Sequence, residues 1–299
     1  MSRPAATVSV DVDPVDLHLL GYGYRGLDPD PLVYTTALPR LLERFARTRI
    51  RATFFVVGRD AEANAATIAG IARAGHEVAS HSRSHPMAFS RLTPERMRHE
   101  LAESRRVIEA AAGAAVTGFR SPNFDVDQRV VEALADTGYR YDASGYPTPF
   151  LVPARLLLAL KSRDAGGVLR LRAWPFTMKR GPHRLGRNGP GLQEFPVSVT
   201  PGVRFPVYHT VRYFMSDGCF ARTLDGFVRR GESFSYPLHA VDVLGFREDG
   251  VDARLVRHPG MDRPLAAKLE LLERTLAAIA ERFEPATFAA RLAAEEGNA

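Results

Sequence analysis

Two histidines and two aspartates have the residue types and spacing for metal chemistry. His81 and His85 stand four positions apart directly after the apolar stretch 78–80, and both reach one point if the segment turns helically. Asp11 and Asp13 follow another apolar stretch and are one residue apart, so in a strand they point the same way. Imidazole and carboxylate are common ligands of zinc and related cations. The four residues predict a site where one carboxylate binds metal and the other acts as a base, in an order that spacing leaves open.

Each pair alone has an ordinary structural explanation. A lone His-x-x-x-His pair is frequent on protein surfaces, and an Asp-x-Asp pair at the end of a strand is a common cap or turn. Because both pairs occur in one chain and each follows an apolar stretch, we favour the metal site.

Strands and helices alternate through the first half of the chain. Apolar stretches predict strands at 8–12, 51–58, 76–80, 116–119 and 139–141. Helical periodicity or capping residues predict helices at 35–47, 60–74, 93–112 and 127–137. The Gly-, Asp- and Tyr-rich stretch 18–31 is predicted to be a loop beside the pocket. This alternation predicts an α/β fold with a parallel sheet and the polar groups at the carboxyl ends of its strands.

The alternation breaks after residue 145. Strands are predicted at 168–173, 195–199, 203–208 and 233–238, and helices at 264–282 and from 286. The apolar, basic-flanked segment 150–161 is a core helix or an interfacial membrane helix. We predict a single domain over 1–299 with an inserted β-rich segment at about 145–233.

The charge of +6 is concentrated in the inserted segment. Residues 145–233 hold 14 Lys and Arg against 5 Asp and Glu, whereas the rest of the chain holds 26 against 29. This excess is either a solvated face or a surface that attracts phosphate on a substrate or membrane. Nucleic acid is not predicted as a partner, because no nucleic-acid-binding motif accompanies the charge. The single Cys219 and the absence of an apolar leader or membrane span predict a cytoplasmic protein, with peripheral contact to the inner face of the membrane left open.

Five segments, taken in order, resemble the motifs of the polysaccharide deacetylases of the NodB-homology type, carbohydrate esterase family 4. They are 10–13, 81–85, 120–124, Asp142 and 237–239. The resemblance covers 8–142 and 233–241, and it implies a distorted (β/α) barrel. It also implies metal-dependent removal of N-acyl groups, N-acetyl first of all, from an amino sugar in a glycan, glycoconjugate or lipid-linked sugar.

The resemblance also implies a role for each matched residue. Asp13, His81 and His85 would hold one divalent cation, with Zn²⁺ expected. Asp11 would be the general base and His239 the general acid that protonates the departing amine.

Positioning and substrate contacts are implied as well. Arg120 would fix Asp11, and Asp142 would keep His239 charged and oriented. The backbone of Asn123 would stabilise the oxyanion. Further expected substrate contacts are Leu238, Tyr146 and Trp174.

Three features depart from the family pattern. The acid pair is spaced rather than adjacent, Tyr146 stands where a tryptophan is common, and the gap from Asp142 to His239 is long. The long gap favours a relative of the cytoplasmic deacylases that act on lipid-linked amino sugars, including a deformylase. His183, His209 and His258 have no partner by spacing and are predicted to lie on the surface.

The remaining alternatives are a carbohydrate-binding protein with a vestigial metal site and a metal-dependent phosphoesterase. The intact Asp11 and His239 argue against the first. The second usually needs a second metal with more carboxylates, and the sequence offers ligands for only one. A homo-oligomer is compatible with the sequence.

Overall fold

The computed structural model describes residues 3–150, 178–186 and 191–297. Nearly all of the apolar segment 150–161, the strand predicted at 168–173 and Trp174 fall outside these ranges, so their predictions stand as made.

One largely parallel sheet forms the centre of the fold. In the described ranges its strands are β1 (Ala5–Val12), β2 (Thr53–Val56), β3 (Glu77–Ser80), β4 (Gly118–Phe119), β5 (Tyr141–Asp142), β6 (His183–Leu185), β7 (Leu192–Glu194), β8 (Phe234–His239) and β9 (Glu284–Pro285). They are ordered β6-β7-β5-β4-β3-β2-β1-β8, and β9 also pairs with β1. Among the strands that the structure describes, only β6 and β7 pair antiparallel. The predicted α/β fold with a parallel sheet is confirmed.

Helices connect and cover the strands. Those described are α1 (Val15–Gly21), α2 (Leu38–Thr48), α3 (Ala65–Arg73), α4 (Pro94–Ala112), α5 (Gln128–Asp136), α6 (His209–Arg212), α7 (Asp217–Arg229), α8 (Leu265–Arg282) and α9 (Phe288–Gly297). The start predicted for α4 is confirmed, because the Thr93 hydroxyl accepts from the amide of Arg96 at 3.4 Å. Gly113 follows the helix with a φ of 64°. This left-handed backbone conformation is common at the residue that ends a helix, and glycine adopts it readily.

Several sequence predictions need correction. Helix α1 occupies the start of the predicted loop 18–31, because Leu17 and Leu19 pack into the core. Neither 195–199 nor 203–208 forms the predicted strand, because β7 ends at Glu194 and the two stretches share only the bridge between Val199 and Pro206. Helix α7 lies where no helix was predicted, and its apolar face (Phe220, Leu224 and Phe227) is buried.

The sheet curls so that the opposite ends of its strand order approach each other. Ser198, just after β7, donates its amide to the carbonyl of Ser235 on β8 at 3.3 Å, and its hydroxyl accepts from the Ser235 amide at 2.8 Å. This contact completes a distorted barrel. In the described residues, no helix has the length and apolar character needed to cross a membrane.

Candidate active site

Strands β1 and β8 place Asp11 beside His239. The two residues are partners in the parallel register, and the Nε2 atom of His239 lies 3.9 Å from Asp11 Oδ2. Alternate residues of a strand face opposite sides of the sheet. Leu238, the residue before His239 on β8, therefore points into the core and is 1% exposed. The expected contact of Leu238 with substrate is therefore not supported, and Pro237 lines the pocket instead.

Asp13, His81 and His85 form the one group of potential metal ligands found in the described residues. Asp13 Oδ1 lies 3.4 Å from His81 Nε2 and 3.6 Å from His85 Nε2. Ligands held at about 2.1 Å around a tetrahedral cation lie roughly 3.3–3.6 Å apart. Asp13 Oδ1 is also buried without a hydrogen-bond partner in the described part of the chain. The donor set and its spacing fit one divalent cation.

The two imidazoles are held in the form that binds metals. The Nδ1 atom of His81 lies 2.7 Å from the carbonyl oxygen of Arg120. When Nδ1 carries the proton and donates there, the Nε2 lone pair faces Asp13. Burial lowers the pKa of His81, and it lowers the pKa of His85 to about 4. Both rings are therefore neutral near pH 7.

The segment carrying the histidines is an irregular loop, so the helical turn assumed from their spacing is wrong. Ser82 and His85 adopt left-handed conformations, with φ values of 65° and 55°. The Ser82 hydroxyl accepts from the amide of His85 at 3.0 Å. The rings of His81 and His85 converge because Ser82 and His85 have left-handed backbone conformations. The four-residue spacing of the histidines does not predict these conformations.

Glu100 on α4 holds this loop from outside. Its carboxylate accepts from the amides of Arg83 and Ser84, at 2.9 and 2.8 Å, and from the Ser84 hydroxyl at 2.6 Å. The Gly58 amide, on the far side, donates to the Ser82 carbonyl at 2.9 Å. The backbone between the two histidines is therefore bonded on two sides.

Arg120 reaches Asp11 across the sheet, as predicted. Its Nη1 atom donates to Asp11 Oδ1 at 2.5 Å, Nη2 donates to the Ser9 hydroxyl at 2.9 Å, and Nε donates to the Ala143 carbonyl at 3.0 Å. Burial would raise the pKa of Asp11, but Arg120, with the nearby His81 and His239, holds it below its usual value. Asp11 is thus an ionised carboxylate at neutral pH. The pKa of Asp13, by contrast, is raised, chiefly by burial.

No contact between Asp142 and His239 is found in the described residues, so the role expected of Asp142 stays a prediction. Along the sheet four strands separate β5, which ends in Asp142, from β8, and in the other direction β7 lies between β5 and the contact of Ser198 with Ser235 on β8. The Ser144 hydroxyl donates to the Asp142 carboxylate, and Glu194 lies opposite on β7. Burial raises the pKa of Asp142 to about 6 and raises that of Glu194 well above its usual range. Motif order alone cannot reveal that this acid faces another acid.

One cavity of about 270 Å³ is lined by all five residues of the proposed metal and proton-transfer groups. Asn123 and Tyr146 also line it, and their contacts with substrate stay predictions. The Asn123 side-chain amide donates to the Met87 carbonyl at 3.2 Å. The Tyr146 ring packs edge-on against Tyr208, with centroids 6.0 Å apart.

Two lining histidines were missed from the sequence. The rings of His18 and His258 lie 5.4 and 6.4 Å from that of His239, and 5.0 Å from each other. The Tyr22 hydroxyl lies 3.3 Å from His258 Nδ1. The surface location predicted for His209 is wrong, because this residue is fully buried and its Nδ1 atom lies 3.0 Å from the Tyr236 hydroxyl. His183 and His258 are both partly exposed, and His258 lines the cavity.

Comparisons with known proteins agree with this site. Residues 27–141 match the family model for polysaccharide deacetylase. A peptidoglycan deacetylase of Helicobacter pylori is 32% identical over 45% of this chain and 47% of its own length. A chitooligosaccharide deacetylase of Rhizobium leguminosarum is 32% identical over 38% of this chain and 49% of its own length. The chain thus spans about half the length of these relatives.

Solved structures share the fold over nearly the whole chain. A Mycobacterium smegmatis protein assigned to the polysaccharide deacetylases superposes with a TM-score of 0.63 at 19% identity, covering 100% of this chain and 92% of the other. A family 4 carbohydrate esterase from Streptomyces lividans gives a TM-score of 0.50 at 14% identity, over 94% and 90% of the two chains.

Proposed function

Because the chain belongs to the polysaccharide deacetylase family, we propose that it is a metal-dependent hydrolase that removes an N-acetyl group from an amino sugar. The observation that carries this proposal is the convergence of Asp13, His81 and His85 with Asp11 and His239 on one cavity. That arrangement provides a cation site, a base and an acid around one reacting amide.

The proposed cation is one Zn²⁺ held by the Asp13, His81 and His85 trio. When bound, it would polarise the acyl carbonyl and lower the pKa of an attacking water. The neutral imidazoles and the unpaired Asp13 oxygen support this assignment.

Asp11 and His239 carry the proton transfers in this proposal. Asp11 takes a proton from the water whose oxygen bonds to the acyl carbon. As the C–N bond breaks, His239 gives its proton to the departing nitrogen. The products are acetate and a free amino sugar, and both side chains return to their starting states by exchange with solvent. Arg120 keeps Asp11 ionised and oriented.

Several finer predictions remain part of the proposal. An anionic or lipid-linked substrate, contact with the inner face of the membrane, and a formyl in place of an acetyl group all rest on the basic segment 145–233 and on the resemblance. A cytoplasmic location and a single domain with an insertion are likewise proposed.

Acetate release from chitooligosaccharides tests the proposed function. The Zn²⁺-loaded protein should release acetate, and the Asp11→Asn and His239→Asn variants should lose activity by roughly 10²–10⁴-fold, the usual contribution of a proton-transfer group. Release of formate from N-formyl sugars in its place would support the deformylase alternative. Full activity in Asp11→Asn, or in protein stripped of metal by a chelator, would contradict the mechanism.

A further inference from the structure

Asp142 and Glu194 are two buried acids in contact at the ends of β5 and β7, and the proposed reaction gives this contact no role. They are partners in the parallel register, and their side chains lie within hydrogen-bond distance of each other. The two residues are 0% and 1% exposed. Two carboxylates this close together, away from water, repel each other strongly, so such a pair tends to keep one proton.

The hydrogen bonds of the two carboxyl groups leave one oxygen on each without a donor. Asp142 Oδ1 accepts from the Ser144 hydroxyl, and Glu194 Oε1 accepts from the Gly145 amide at 2.8 Å. Asp142 Oδ2 and Glu194 Oε2 are buried and have no partner in the described part of the chain. An ionised carboxyl only accepts hydrogen bonds, whereas a protonated one also donates. One proton held between the two acids therefore gives both remaining oxygens a hydrogen bond.

The charges around the two acids favour a single negative charge on the pair. Arg120 attracts both carboxyls. Within the described residues, however, its hydrogen bonds go to Asp11, Ser9 and Ala143. Burial raises the pKa of Asp142 and of Glu194, and the charge of Asp142 raises the pKa of Glu194 further.

The two acids hold the loop 143–146 that follows β5. Glu194 accepts from the amide of Gly145, and Asp142 accepts from the hydroxyl of Ser144. The approach to Gly145 is close, because a Cβ atom at this position would lie 2.7 Å from Glu194 Oε1. Only glycine fits there without a shift of the Glu194 carboxyl.

The same loop reaches the candidate active site. The Ser144 hydroxyl accepts from the amide of Ser121 at 2.7 Å. The Ala143 carbonyl accepts from Arg120 Nε at 3.0 Å, and Tyr146 lines the cavity. The placement of Arg120 and Tyr146 therefore depends on the loop.

We propose that Asp142 and Glu194 share one proton, and that this acid pair positions the loop 143–146 beside the active site. Both acids are positioning residues, which act on Arg120 and Tyr146 through the loop. The effect on catalysis rests on the proposed function, whereas the shared proton does not. When that proton passes to solvent at high pH, two negative charges face each other and the loop loses its support.

Other titratable and charged groups lie on the elements packed around the acid pair. They are Arg120 with its partner Asp11, Glu77 on β3, which accepts from the Tyr141 hydroxyl, His183 opposite Glu194 on β6, and Arg291 on α9. All of them stay in place when one acid of the pair becomes an amide. Their contributions therefore cancel when such a variant is compared with wild type at each pH.

Glu194→Gln tests the shared proton, because the amide keeps the size, accepts from Gly145 and donates to Asp142 without a proton that titrates. Unfolded wild type loses the Glu194 proton near the ordinary value of 4.5, whereas the folded protein keeps it to higher pH. The stability of wild type should therefore fall as the pH rises toward the folded pKa. In urea unfolding, the ratio of the unfolding constants, wild type over variant, should rise by up to about tenfold per pH unit between about pH 6 and 8.

Asp249→Asn is the matched control, because it removes a carboxylate that is paired with a cation. Asp249 pairs with Arg40 at 2.6 Å, and the hydrogen bond from Arg40 lowers its pKa. This carboxylate is ionised in the folded and the unfolded protein above pH 6, so the same ratio should be constant for Asp249→Asn. A constant ratio for Glu194→Gln would overturn the shared proton.

Deacetylation of chitooligosaccharides by the Zn²⁺-loaded protein tests the positioning role. Glu194→Ala removes the contacts with Asp142 and Gly145 and should lower kcat by up to about 10²-fold, as misplaced catalytic groups do, with a smaller change in KM. Glu194→Gln should restore kcat at neutral pH. Wild-type kcat in Glu194→Ala, or no rescue by glutamine, would overturn this role. If Glu194→Ala does not fold, Ser144→Ala, which separates Asp142 from Ser121, should lower kcat less, and an unchanged kcat would count against the role.

The unfolding measurements need no substrate, so the two proposals can fail separately. If wild type hydrolyses no acylated amino sugar, the proposed function fails, yet the ratio for Glu194→Gln should still rise with pH. If Glu194→Gln does not fold, Asp142→Asn takes its place, because an amide on either side donates to the remaining carboxylate. Failure of both amide variants to fold, while Asp249→Asn folds, would contradict the shared proton.

Discussion

Arg120 is the residue on which the ionisation of Asp11 depends, and Arg120→Met tests that dependence. The variant leaves Asp11 buried without its cation, which costs about 3–5 kcal/mol for a broken buried pair. Without the opposing charge, burial raises the pKa of Asp11. The acid limb of kcat/KM should therefore move to higher pH, and the urea midpoint of unfolding should fall.

The sign of the pH effect on stability follows from the same contact. In wild type the pKa of Asp11 is below 3.8, so this carboxylate stabilises the fold above that pH, and the contribution is lost as the pH falls through the folded value. In Arg120→Met the fold should instead gain stability on acidification through the raised pKa. The control Arg98→Met breaks an exposed pair with Asp136 and should cost under about 1 kcal/mol. Equal effects of the two substitutions would contradict this account.

At the scale of single residues, the sequence predicts a contact when the two partners are related by local spacing or by the motifs of the family. Asp11 and Asp13 follow strand alternation, and the contact of Arg120 with Asp11 follows the motif order. His18 and His258 could not be found in this way. His258 lies 19 positions after His239 in a loop, and its ring meets that of His18 from the other end of the chain, so the placement of both depends on long-range packing.

The loop 81–86 brings His81 and His85 together. The bonds from Glu100 to this loop can be removed by a substitution that leaves both proposed metal ligands unchanged. Glu100→Ala frees the amides of Arg83 and Ser84. Loss of such a support typically lowers metal affinity by about 10–100-fold. Zn²⁺ affinity measured by competition with a chromophoric chelator should fall by that factor.

Glu103→Ala is the control on the same helix. Glu103 pairs with Arg106 on the surface of α4 and makes none of the loop contacts described for Glu100. Its Zn²⁺ affinity should equal that of wild type. Equal affinities in all three proteins would show that the loop holds its shape without Glu100.

Elements with a strong local signal were predicted, and those shaped by remote contacts were not. Helix α4 has a threonine cap, a proline at its first position and a glycine after its end, and its bounds were predicted within a residue. The left-handed residues of the histidine loop need Glu100 and Gly58 from elsewhere in the chain. No period-two or period-3.6 pattern encodes such contacts.

The cation site ties together distant parts of the whole molecule, and this predicts a stability effect. Asp13 follows β1, whereas His81 and His85 follow β3. A ligand that binds only the folded state stabilises it by about 2.7 kcal/mol at 100 times its Kd. Zn²⁺ should therefore raise the Tm of wild type in calorimetry, reversibly with a chelator.

Two substitutions test that effect. His85→Asn removes one ligand and should abolish most of the rise in Tm. His183→Asn changes a partly exposed histidine on β6 and should leave the rise intact. A rise in Tm that persists in His85→Asn would place the stabilising ion elsewhere.

The position of β1 inside the sheet has a consequence during synthesis of the chain. Its eight residues are almost entirely buried, with β2 on one side and β8 on the other. At about 5–20 residues per second, a ribosome needs roughly 10–45 s to travel from the end of β1 to the start of β8. During that interval the nascent chain carries an apolar strand with one bare edge and an incomplete site. Chaperone capture or intermolecular pairing during translation would concentrate there.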